Sequence, residues 1–85
     1  MTTLNQLRTQ LYHPLVQSAN NASKKAWDAS KKFNHRQAEM LHNEAIRLHK
    51  QAMSNTSNVQ DKQEHQNIIN KHSQQAMFHA SNTLS

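Results

Sequence analysis

The chain has 85 residues, enough for one domain, and only 34% of them are apolar, 9 of those being Ala. The absence of Gly and Cys excludes phosphate-cradling loops, tight hairpins, disulfide frameworks and thiolate metal sites. The net charge of +5 is local: Arg8, Lys24, Lys25, Lys31 and Lys32 face Asp28 alone in the first 33 residues.

The first helix is expected over residues 3–32. Thr2 or Thr3 is suited to cap it, and Leu4, Leu7, Leu11 and Leu15 follow on one face. His13-Pro14 predicts a kink or restart at 13–14, because proline lacks an amide hydrogen and crowds the preceding turn. The stripe resumes with Ala19, Ala22, Ala26, Ala29 and Phe33, small side chains that let a second helix come close but bury little area. A second helix is expected over 35–53, on the seam Ala38, Leu41, Ala45, Leu48 and Ala52. Ser54 to Asn58, all short polar residues, should end it. A third helix is expected over 60–83, with Asp61 in its first turn and a core face of Ile69, Ser73, Ala76, Ala80 and Leu84. Short connections between amphipathic helices predict an all-α, antiparallel up-down-up three-helix bundle spanning 1–85 as one domain.

Six of the seven histidines form two heptad ladders: His35, His42 and His49, then His65, His72 and His79. Paired in reverse order, their positions share one constant sum whose midpoint is Ser57, in the expected turn. In that register the histidines face one another in layers spaced by about 10 Å. The simplest role for them is to edge an Ala/Leu core with amphipathic rings. A second role is a pH response: neutral histidines facing across the hairpin resist protonation, so stability should fall below about pH 6.5. A third is an improvised metal site, in which Glu39 joins His42 and His72, or Asp61 joins His49 and His65. Two imidazoles alone are too few for zinc. A di-iron centre needs two E-x-x-H helices, and only Glu39 and His42 match.

Other chemistry has little support. No Cys nucleophile or Gly-flanked Ser elbow exists, and the 5 acids form no convincing carboxylate pair, so the chain is expected not to be an enzyme and to need no cofactor. The basic segment Lys24, Lys25, Lys31 and Lys32 around Trp27 is an alternative site for nucleic acid or phosphate surfaces. No apolar run approaches the ~18 residues of a membrane span, and no secretory leader follows Met1. An intracellular, cytoplasmic location is therefore expected. Mitochondrial import is the weaker expectation, since Arg8 is the sole arginine in an acid-free start. The Ala faces also suit homo-oligomerisation.

The stretch from Phe33 to Met53, with Ala38, Leu41, Ala45, Leu48 and Ala52 on heptad positions, resembles the second helix of the MIT (microtubule-interacting and trafficking) domain. Ahead of it, Asp28 followed by Phe33 is similar to that family's acid and aromatic. The third helix departs from the family, lacking its aromatic and R-A-E signature. The resemblance implies a protein-interaction adaptor. It would dock short amphipathic helical segments, typically tails of endosomal-sorting (ESCRT-III) subunits, in a groove between helices. Met40, Ile46, Ile68, Met77 and Phe78, apolar residues off the seam, are the expected lining.

Overall fold

The computed structural model describes residues 4–32 and 34–83, with side chains from residue 11 onward. It is an all-α bundle of three helices, α1 (Leu4–Lys31), α2 (His35–Ser54) and α3 (Val59–Thr83), with no strand among the described residues. Thr2, Thr3, Phe33 and Leu84 and the side chains of Leu4 and Leu7 lie outside the described residues.

Of the two expectations at Pro14, kink or restart, the restart is corrected. α1 runs through it as a single helix and does not restart. Proline removes only one intrahelical bond, and the long helical segments on both sides supply the others. Capping side chains mark the remaining breaks. Asn34 Oδ1 accepts the Gln37 backbone N–H at 3.2 Å, which opens α2. Asn58 Oδ1 accepts the Asp61 N–H at 3.0 Å, which opens α3.

α2 is the hub. Both α1 and α3 pack along it with close backbones, while α1 and α3 meet mainly through side chains. The apolar core is nearly all alanine: Ala19, Ala22, Ala26, Ala29, Ala38, Ala45, Ala52 and Ala76 are buried, joined only by Ile69 among the described residues. The expected partners Leu41 and Leu48 are only half-buried, as are Ser73 and Ala80 on α3, and Leu11 lies exposed. Alanine contributes little hydrophobic area, so this core works by allowing the helices to approach rather than by burying bulk. The result is a slender rod of 56 × 18 × 16 Å.

The histidines correct a second expectation. They do not edge the core; they fill its centre. His42, His49 and His72 have 0% exposure, His79 2% and His65 6%. The alanines on either side leave a space along the axis that leucine could have filled, and imidazole rings occupy it. A buried polar group is tolerable only when it is hydrogen-bonded, and no buried side-chain N or O among the described residues lacks a partner.

Candidate functional site: a buried histidine column

The heptad spacing brings the two ladders into register across the α2–α3 hairpin. Their Nδ1 atoms meet in three pairs: His35 with His79 at 2.8 Å, His42 with His72 at 2.6 Å, and His49 with His65 at 2.9 Å. Partner numbers fall along α3 as they rise along α2, so these helices run antiparallel. The far edge of every ring but His35, Nε2, turns toward α1. Ser30 Oγ lies 2.7 Å from His42 Nε2 and 2.9 Å from His79 Nε2. Ser23 Oγ lies 2.8 Å from both His49 Nε2 and His72 Nε2. Tyr12 Oη lies 2.9 Å from His65 Nε2.

These contacts join end to end. The order is His35, His79, Ser30, His42, His72, Ser23, His49, His65 and Tyr12, an unbroken hydrogen-bonded file. Each serine bridges two layers, and each histidine pair spans one. From His35 to His49 the column covers two heptads of α2, about 20 Å. Rings of successive layers also stack, His42 on His79 with centroids 5.6 Å apart and His49 on His72 at 6.2 Å.

Burial acts on the acid–base chemistry of every central ring. His42, His49 and His72 are each lowered from 6.5 to about 4, chiefly because the interior disfavours the imidazolium. The charge of a neighbouring histidine adds to this: His79 for His42, His65 and His72 for His49, and His42 for His72. His65 is also lowered by burial, against the opposing pull of Asp61 and Glu64. His79 is lowered by burial and His35, against Glu39. At neutral pH these five rings are therefore uncharged.

The structure distributes the other expected site residues as follows. Glu39 and Asp61 reach only the ends of the column. No three His, Cys, Asp or Glu side chains among the described residues gather as a metal-binding group. Lys24, Lys25, Lys31 and Lys32 are exposed, and Lys25 and Lys32 border an open depression of about 300 Å³ with Asp28. Trp27 stays partly exposed, at 36%, while one side of its ring meets the column. Its ring packs edge-on against His42 at 4.9 Å and beside His72 at 5.2 Å, covering the column between α1 and α3. Met40, Met77 and Phe78 are exposed, at 67%, 71% and 54%, while Ile46 and Ile68 are half-buried. Phe78 leans on the rings of His35 and His79.

Tyr12, Ser23 and Ser30 are members of the column that the histidine ladders alone do not reveal. A signal existed for the serines. They too are seven apart, and each lies in antiparallel register with a histidine of α2, Ser30 with His42 and Ser23 with His49. None of the helices is long and apolar enough to cross a membrane, among the described residues. Comparison with protein-family models, curated proteins and solved structures finds no match.

Proposed function

We propose that this chain is a non-enzymatic, proton-responsive helical module, folded around a neutral histidine column and released from that fold by mild acid. The observation that supports it is the complete burial of His42, His49 and His72 in a core otherwise built of alanine. Little hydrophobic area stands behind these rings, so charging them removes the centre of the structure. The groups facing the column offer weak compensation. α1 presents only Tyr12, the serines and Trp27; α2 adds Glu39 near one end; α3 adds Asp61 and Glu64 near the other. No carboxylate is among the influences on the middle rings.

Small-angle scattering through a pH 7.5 to 5 to 7.5 cycle tests this reading. The expected result is reversible expansion from a radius of gyration near the present 14.6 Å. An unchanged radius at pH 5 would refute it.

A second reading, docking of an amphipathic helical segment as the MIT resemblance implies, is favoured by the exposure of Met40, Met77 and Phe78. Such binding should be salt-insensitive and lost in Met77→Ser/Phe78→Ser. The nucleic-acid alternative through Lys24 to Lys32 has less behind it, because Trp27, though 36% exposed, already spends part of its ring on His42 and His72.

A further inference from the structure

The hydrogen-bonded file has a property that pairwise contacts do not reveal. A neutral imidazole carries one N–H, and in every ring but terminal His35 both nitrogens face a partner, so each of these must donate on one side and accept on the other. Ser23 and Ser30 have only histidines as partners, so each hydroxyl likewise donates one way and accepts the other. Only two arrangements then satisfy every contact. In one, His35, His42 and His49 all carry Nδ1–H, while His65, His72 and His79 all carry Nε2–H. In the other, every tautomer is reversed.

The terminus at Tyr12 selects between them. Its phenol is raised by burial and by the nearby charges of Asp61 and Glu64. The negative charges of Asp61 and Glu64 favour a Tyr12 O–H turned outward toward them, which leaves its oxygen to accept from His65 Nε2–H. That places Nδ1–H on the three α2 histidines.

We propose that this column is a single-file proton relay, carrying one proton between the His35 end and the Tyr12–Asp61 end of the bundle. The proposal deepens the proton-responsive reading of the same residues, and rests on it only for the site.

The step balances without any co-reactant. A proton from water binds His35 Nε2, and the His35 Nδ1 proton passes to His79 Nδ1. His79 gives its Nε2 proton to Ser30 Oγ as Ser30 gives its own to His42 Nε2. His42 passes its Nδ1 proton to His72 Nδ1. Ser23 repeats the exchange between His72 and His49, and His49 passes its Nδ1 proton to His65. Tyr12 takes the His65 Nε2 proton and yields its own to water on the side of Asp61. The column ends neutral, with every tautomer reversed.

Two consequences follow. The five rings other than His35 are held at both nitrogens, so they cannot readily turn over to restore the first polarity. The next proton must travel back, which makes the column a shuttle and not a continuous conductor. A lone excess proton can rest on any histidine with all contacts satisfied, since the file then donates outward on both sides. A second one forces two donors to meet.

The test is imidazole nitrogen NMR of the 15N-labelled chain at pH 7.5. The relay predicts one tautomer at His35, His42 and His49 and the opposite one at His65, His72 and His79. Mixed tautomers within either helix overturn it. In Asp61→Asn, which removes a charge acting on Tyr12 and His65, the tautomer ratio should move by the same fraction at distant His35 as at His65. A change confined to His65 overturns the relay. Adding Ser23→Ala should cut the file, leaving only His49 and His65 to respond; should that variant not fold, the first two arms still decide. Acid expansion with unlinked tautomers sinks the relay alone. Linked tautomers with no acid expansion sink the acid-release reading alone.

Discussion

Lowering the pH from 7.5 to 5 should unfold this bundle, and the size of the effect follows from three side chains. Above pH 6.5 an imidazole is neutral in both the folded and the unfolded chain, so His42, His49 and His72 add no pH dependence there. Below 6.5 the unfolded chain takes up protons, while the folded one refuses them until about pH 4. Stability is thus fully present above 6.5 and is lost as pH falls from 6.5 toward 4. At pH 5 the ratio of proton-binding terms is about 30 for one such histidine, or about 2 kcal/mol. Three together give a loss on the order of 6 kcal/mol, against a total of roughly 4–13 kcal/mol for a domain of this size. Urea melts followed by helical circular dichroism at pH 7.5, 6.5, 6.0 and 5.5, extrapolated to zero denaturant, give the curve directly. A loss below about 1 kcal/mol by pH 5.5, where the same arithmetic gives about 4, would refute the argument. It would mean that the interior accommodates imidazolium far better than its burial implies.

Other perturbations isolate parts of the column. Replacing His42 alone with Ala leaves His72 Nδ1 without its partner at 2.6 Å, and should cost about 2–4 kcal/mol in a urea melt at pH 7.5. The paired change His42→Leu/His72→Leu removes both polar groups at similar volume. It should hold or raise Tm at pH 7.5 while cutting the acid loss at pH 5 to about 2 kcal/mol; a large fall in Tm at pH 7.5 would show that the polar pair itself is required. Ser30→Ala strands two ring nitrogens and should cost about 1–3 kcal/mol, whereas exposed Ser18→Ala should stay within about 0.5 kcal/mol, both read from melting curves. Asn34→Ala removes the cap of α2 and should cost about 1 kcal/mol at every pH, because no histidine is touched.

The layer pairing was legible because a heptad on each of two antiparallel helices is a geometric constraint, independent of what the side chains are. The depth of the histidines was not. Hydropathy places imidazole at an edge, yet depth depends on the volume of the neighbours. Beside Ala38, Ala45 and Ala76 the histidine is the larger residue and takes the interior. Ser23 and Ser30 were hidden among 8 serines that look alike in sequence; only the ring nitrogens turned toward α1 single them out. Trp27 misled in the opposite direction, since its lysine neighbours suggested a surface role while its ring covers His42 and His72. Pro14 signalled a break that the length of α1 overrode.

The repetition that builds the column also leaves its alignment underdetermined. Sliding α3 along α2 by one heptad would again set histidine against histidine, with one layer fewer. The helices themselves thus discriminate poorly between neighbouring alignments. Discrimination falls to the connection over residues 55–58, fixed by Thr56 Oγ1 accepting the Asn58 N–H and by Asn58 capping α3. A slip of one heptad needs about 10 Å more chain, the reach of roughly three extended residues. Four short polar residues between two helices therefore act as the ruler of the molecule, and an insertion there would give the histidines a choice of partners.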